Sequence, residues 1–415
     1  MANAFSNPTV VAKEALRHLK NNCVMGRLVH RGYEEEFKKR HNGWNQGDTI
    51  TVNAPVYFRV KDGRTVDPVD LKRRKTTYTV DQWKHVAWNL NAEEMTLDLD
   101  KWSEDYLMPA MQGLANSVDV ALLGLYKGVP NQVGTPGVTP STFYVFAQAK
   151  ARLTEEACPL DNRYCVIEAQ ACAKIADTLK GIFQQAIVAK AIRKGEITKS
   201  FSGFAMYESQ NVNTHTVGTW AAIADIQKDG ASSEGDTTLA LKSTGAAQTA
   251  KVGDIFTIAG SNSVNPVSGM ATGSLRQFAV TTEASMDGSG EIAALAAIPG
   301  SGGIHLIYSA AADEEDLPYQ TLDVIPAGDA AVTVAGTTGL VHPVSLAFHR
   351  DAFGLCMVPI EQPASVVWGA SEVYDGYQIS VIRYLTGSTL TETIRFDILY
   401  GVKVLNPFLA CRIAG

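Results

Sequence analysis

The stretch TITVNAPVYFRV (residues 49–60) alternates at period two. Ile50, Val52, Ala54, Val56, Phe58 and Val60 fall on one side, with Thr49, Thr51, Asn53, Tyr57 and Arg59 on the other. The pattern predicts a strand with one apolar face, and Pro55 marks it as an edge or exposed strand. A second extended run, TTYTVDQWKHVAWNL (76–90), follows the turn-rich KDGRTVDPVDLKRRK, which carries Asp62-Gly63, Pro68 and a basic cluster. The expectation is a long two-stranded ribbon with a polar tip. An isolated hairpin is marginal in water, so this one must rest on another surface.

The helical signals lie on either side of that ribbon. PTVVAKEALRHLKNN (8–22) places Pro8 in the first turn and repeats Val11, Ala15 and Leu19 at helical spacing. Glu34/Lys38, Glu35/Lys39 and Glu36/Arg40 form three i,i+4 pairs of a solvated helix. Over 98–127, Leu107, Met111, Leu114, Val118, Ala121 and Leu125 recur every three or four residues, and Pro109 is expected to kink this helix or begin it. Asp98 and Asp100 read as its N-terminal cap. A Gly/Pro loop at 127–141 leads to helices near 141–157 (Phe143, Phe146, Leu153) and 169–193 (Cys172, Ile175, Leu179, Ile182, Ala186).

From about 217 to 337 the character changes. Gly, Ser, Thr and Ala separate short strand-like runs: TLALKS, DIFTIAG, QFAVTTEA, EIAALAAI and IHLIYS. This is the pattern of a small sandwich or barrel. The flanks, FAMYESQNVNTH and VSLAFHRDAFGLCMVP, look like two parts of one α/β core, so the block reads as an insertion whose ends lie close together. The chain closes with a second ribbon, GYQISVIRYLTGSTLTETIRFDILYGVKVLN, turning near Gly387-Ser388, and an apolar NPFLACRIAG that should be docked.

Charge and chemistry narrow the function. The 415 residues suggest two or three domains and carry a net charge of −7, unevenly spread: 1–85 hold +7 and 219–340 hold −10. An acidic chain is a poor dedicated nucleic-acid binder, whereas separated blocks of opposite sign suit contacts between protein surfaces. No apolar run is long enough for a membrane helix, and no secretory signal pattern opens the chain. The six cysteines form no Cys-x-x-Cys; Cys158, Cys165 and Cys172, seven apart, read as small buried hydrophobes of a cytoplasmic protein. Walker-type Gly-Lys, His-Glu-x-x-His and Gly-x-Ser-x-Gly are all missing. His342 and His349 near Cys356 lack a third orienting partner, Gly300-Ser301-Gly302-Gly303 precedes a strand and reads as a turn, and Asp313–Asp316 reads as a solvated acidic loop. No catalytic residue, metal site or cofactor is expected. The basic cluster Lys72, Arg73, Arg74 and Lys75 on the ribbon points to an acidic surface of a neighbouring subunit, or to solvent alone.

The order of elements resembles the HK97-fold major capsid proteins of tailed bacteriophages, and most of all the P22-type coat proteins with an inserted β-barrel. The likeness rests on residues 45–90 as E-loop, 98–127 as spine helix, 128–216 as peripheral domain, KVGDIFTIAG (251–260) as a strand-turn-strand of the insert, and Asp375-Gly376-Tyr377 through Leu399-Tyr400-Gly401-Val402 as the axial hairpin. It implies an α+β HK97-like fold with six parts: an N-terminal arm (1–44), an E-loop ribbon (45–97), the spine helix (98–127), a peripheral core (128–216), an inserted antiparallel β-barrel (217–337), and an axial domain with a closing strand (338–415). It further implies self-assembly as hexamers and pentamers into an icosahedral virion shell in the bacterial host's cytoplasm. A separate scaffolding protein and a portal are implied as partners, and double-stranded DNA is enclosed without sequence-specific binding. Gly43, Gly47, Pro55, Gly63 and Pro68 are then the ribbon's hinges, letting one fold serve five-fold and six-fold surroundings. The rival readings are a β-rich adhesin, which explains 217–337 but not the spine helix, and a hydrolase, which needs convergent ionisable groups the sequence does not offer.

Overall fold

A computed structural model describes residues 7–31, 49–53, 56–61, 63–64, 68–70, 72, 74–90, 99–178, 201–245, 247–301, 305–360, 368–386 and 391–415. The chain divides into two compact units. The first is Met1–Thr51, Thr77–Leu122 and Phe353–Lys403; the second is Val52–Thr76, Leu123–Ala352 and Val404–Gly415.

The first unit is built on the closing ribbon. Tyr377–Thr386 and Thr391–Val404 pair antiparallel, as their alternation predicts. Trp368–Tyr374 extends the sheet through a two-residue turn at Asp375-Gly376, where φ of +50° and +75° suits an Asp-Gly type I′ hairpin. On the other edge of Thr391–Val404 lies Gln82–Leu90, in register from Glu392↔Leu90 to Tyr400↔Gln82. This corrects the first ribbon: Thr49–Asn53 pairs with Lys75–Thr79 alone, and the run 76–90 breaks at Val80-Asp81. The break lets Trp88 stack on Phe396 (5.4 Å between ring centroids), an apolar contact that a free-standing ribbon cannot offer.

Helix Pro8–Asn22 starts where expected, with the Asn7 side chain accepting from the Thr9 N–H, and it buries Val11, Ala12, Ala15, Leu16 and Leu19. The spine runs Leu99–Trp102, through a π-helical turn Ser103–Leu107, into Met108–Leu123. Pro109 does not start the helix, which runs from Leu99 through it. The π-turn directly before it, closed by Met108 N–H donating to Ser103 C=O, takes up the irregularity that a proline without an N–H imposes. Leu107, Met111, Leu114 and Val118 are buried as predicted; Leu122 then replaces Ala121, because 3.6 residues per turn carry the stripe past it. Asp119 sits in that stripe and accepts from Val24 N–H (2.7 Å) and Gly26 N–H (3.1 Å), pinning the chain after the first helix. Burial raises its pKa, against the pull of those amides.

The second unit carries a mixed five-stranded sheet in the order Gln132–Val133, Ala410–Ile413, Ser345–His349, Arg163–Ile167, Ala205–Glu208. Helices Phe143–Glu155 and Ala169–Thr178 contribute Phe146, Leu153, Cys172 and Ile175 to the core beneath it, which also takes in Cys165, Cys411 and Ile413. All six cysteines are free and buried. Residues 179–193 of the predicted second helix, Glu34–Arg40, and Asp98 fall outside the described residues.

The β-rich block has a six-stranded sheet: Val332–Val334, Ile255–Val264, Ala271–Val280, Glu291–Ile298, Thr238–Lys242, Gln227–Lys228. Its two ends meet, since Lys228 N–H donates to Ala330 C=O and Val332 N–H to Ile226 C=O. Ile255–Val264 is one strand whose register shifts between Thr257 and Asn262, around Gly260 at φ +82°. Residues 305–309 of the IHLIYS run form no strand: Ile307 is buried, but its carbonyl accepts from Gly235 N–H and that of Tyr308 from Thr321 and Leu322 N–H, without a ladder. The chain enters and leaves the block side by side, with Thr214–Thr216 antiparallel to Val341–Pro343. At this neck the His215 Nε2–H donates to Asp254 Oδ1 (2.9 Å), while Asp254 also accepts from Trp220 Nε1–H (2.7 Å), Lys251 N–H (2.9 Å) and Gly218 N–H (3.1 Å). His342 faces His215 (5.7 Å between rings).

Candidate assembly surface

The ribbon's pairing ends at Asn53, and beyond it Val56–Lys61 runs without a strand partner. Its polar parity is the docked one. Tyr57 packs edge-on against Tyr319 (5.9 Å between centroids) and its hydroxyl accepts from Asn406 Nδ2 (3.2 Å). Arg59 donates to Gln320 Oε1 at 2.6 Å and fills the space beside Gly269, which is at φ +70° and has no room for a Cβ. Alternation then turns the apolar parity outward. Phe58 is 68% and Val60 96% exposed. The sequence placed apolar residues on one face and left open what covers it; Val52 is buried within the chain, whereas Phe58 and Val60 stay open among the described residues.

The returning segment meets the same loop. Lys72 Nζ lies 2.9 Å from Asp316 Oδ2 and 3.0 Å from Glu315 Oε2, and these pairs hold its pKa above the usual lysine value. Arg74 is buried, 3.3 Å from Asp316 Oδ1, with its guanidinium 4.3 Å over the Tyr319 ring and 4.8 Å over that of Tyr308. Lys61 pairs with Glu314 at 2.9 Å, and Tyr319 hydroxyl donates to the Lys72 carbonyl (2.9 Å).

Of the predicted site residues, Lys72 and Arg74 are therefore brought together on an acidic partner, and that partner belongs to their own chain. Lys75 is exposed in its strand. Arg73, Gly43, Gly47 and Pro55 lie outside the described residues. Gly63 has φ +126° with open space around it, and Pro68 is exposed. The reading of Asp313–Asp316 as a solvated loop holds for the exposed Asp313 and Glu314 and is corrected for the buried Asp316, and three of the four carboxylates hold ribbon cations. Arg59, Lys61, Tyr308, Tyr319 and Gln320 were missed. The legible signal was the pairing of a basic run with an acidic one about 240 residues on; the aromatic shelf between them left none.

Among the described residues no group of three or more His, Cys, Asp or Glu side chains is gathered as a metal site, and no helix is long and apolar enough to cross a membrane. The chain is 21% identical over 393 residues to the major capsid protein of Acyrthosiphon pisum secondary endosymbiont phage 1, covering 89% of this chain and 90% of that one. Among solved structures, a chain of Mycobacterium phage Che8 superposes with a TM-score of 0.46 at 13% identity, over 94% of this chain and 90% of that one. The CUS-3 coat protein I-domain matches 27% of this chain and 95% of its own length at 22% identity and a TM-score of 0.20. The protein is a phage major capsid protein, structural and not enzymatic. The P22 coat protein family (gene protein 5) matches residues 1–413, and the chain belongs to that family.

Proposed function

We propose that this subunit assembles as hexamers and pentamers into an icosahedral shell around double-stranded DNA, with a separate scaffolding protein and a portal, in the cytoplasm of a bacterial host. The fold is read as HK97-like: an arm, an E-loop ribbon hinged at Gly63 and Pro68 as well as at Gly43, Gly47 and Pro55, a spine helix, peripheral and axial domains, and an inserted β-barrel over 217–337. Support for the barrel comes from the backbone bonds that join the two outer strands, and for its insertion from the paired neck strands. The observation that carries assembly is the outward row of Phe58 and Val60. Exposed apolar side chains on an extended segment mark a contact to be buried elsewhere, and in a closed shell many such weak contacts act together.

Electron microscopy and sedimentation of the purified protein, with and without its phage's scaffolding protein, test this. Closed particles are expected, and Phe58→Ser/Val60→Ser should give folded subunits that do not close. Discrete monomers under every condition, or normal shells from the double variant, would refute it.

A further inference from the structure

The loop 305–322 has little pairing of its own, yet it touches both segments next to the ribbon's strands, Val56–Lys61 and the Lys72 and Arg74 stretch. It presents Glu314, Glu315 and Asp316 within three residues, and each meets a ribbon cation: Lys61, Lys72, or Lys72 and Arg74. Apart, three adjacent carboxylates repel one another, as do the cations of KDGRTVDPVDLKRRK; together each block neutralises the other. Tyr319 reinforces the match from both sides, edge-on to Tyr57 and under the Arg74 guanidinium, with its hydroxyl on the Lys72 carbonyl. These contacts also choose a parity. With Tyr57 and Arg59 committed to the loop, Phe58 and Val60 must face away.

We infer that the loop 305–322 of the β-rich block is the cradle of the ribbon base in its own chain, and that this clasp forms in the single subunit and fixes which face the ribbon shows to other copies. The block thereby gains a task, aiming the assembly ribbon. The inference rests on the assembly reading for its purpose, but the clasp itself is measurable without any shell.

The test is hydrogen exchange on the unassembled full-length subunit, read at residues 56–76, with the strands Arg163–Ile167 and Ser345–His349 as a control for folding. Asp316→Lys sets a like charge against Lys72 and Arg74. Exchange over 56–76 should rise about tenfold while the control strands keep their protection. Lys72→Gln, a change on an exposed side chain that leaves the fold intact, should raise it about threefold. Lys72→Glu combined with Asp316→Lys in one chain should restore protection to within about threefold of the parent, whereas mixing the two single variants should not. Unchanged exchange in Asp316→Lys and Lys72→Gln would overturn the clasp. Rescue by mixing alone would overturn its intrachain form and assign the contact to two copies. If the parent protein forms no shells but shows this exchange pattern, the assembly reading fails and the clasp stands.

Discussion

Arg276 is a charged side chain buried in the second unit. It is fully buried on the strand Ala271–Val280, its guanidinium 3.9 Å over the Phe408 ring, with Glu156 as its bonded carboxylate. Its Nε and Nη2 have no hydrogen-bond partner. Burial pulls its pKa down to about 10 even with Glu156 beside it, so at neutral pH the charge is still present. Glu156→Ala therefore strands a cation in an apolar surround, which typically costs about 3–5 kcal/mol. Arg276→Met should cost much less, about 1–2 kcal/mol: its thioether chain still packs on Phe408, and Glu156 keeps Arg152 at 3.6 Å. Against a domain stability of about 5–15 kcal/mol, the first loss is severe and the second tolerable. Urea unfolding of the unassembled subunit, followed by circular dichroism, reads both midpoints. A Glu156→Ala variant within about 1 kcal/mol of the parent, or one more stable than Arg276→Met, would refute the reasoning.

Three further outcomes are expected. Asp254→Ala removes the acceptor of the Trp220 indole and of the Gly218 and Lys251 amides, and should destabilise the neck by about 3–5 kcal/mol, seen as early exchange of residues 214–220 and 339–343; retained protection there would contradict it. Burial, then His215 and Arg412, lower the His342 pKa from 6.5 to about 4, so the unfolded chain takes up the proton first as pH falls. Stability should therefore drop between pH 6.5 and about 4, by roughly 2–3 kcal/mol from this group, and His342→Gln should flatten that part of the urea-midpoint profile; an unaltered slope would count against it. His305, lowered to about 3 chiefly by burial, adds a loss of the same sign. Burial also raises the Cys158 and Cys411 thiols to about 11 and 12, so iodoacetamide at pH 7.5 should leave the native protein unlabelled and modify all six cysteines in urea; mass spectrometry showing native labelling would refute this.

Much of the fold was legible because its signals are local. The Pro8–Asn22 helix, the spine stripe up to Val118 and the closing ribbon each follow from periodicity within one segment. What periodicity could not give was partnership. The run 76–90 alternates as a single strand, but the choice between Thr49–Asn53 and Thr391–Val404 as partner depends on residues 300 positions away. IHLIYS has strand composition yet spends its apolar side chains in a core without a ladder, since propensity for strands mostly measures fit to a half-buried surface. The π-turn before Pro109 is likewise invisible in a helical wheel.

The assembly surface shows the same divide more sharply. Alternation over 56–60 sorts the side chains into two faces, and the ordinary inference sends the apolar face inward. Here the inward face is Tyr57 and Arg59, because the surface they meet offers Tyr319, Gln320 and Asn406, groups that satisfy a hydroxyl and a guanidinium and would leave Phe58 and Val60 poorly matched. A single chain reading its own pattern would call this an inversion. On the assembly reading proposed above it is the economical arrangement: polar, directional bonds set the ribbon's angle within the chain, and the non-directional apolar contacts are left to surfaces that must tolerate small changes in angle.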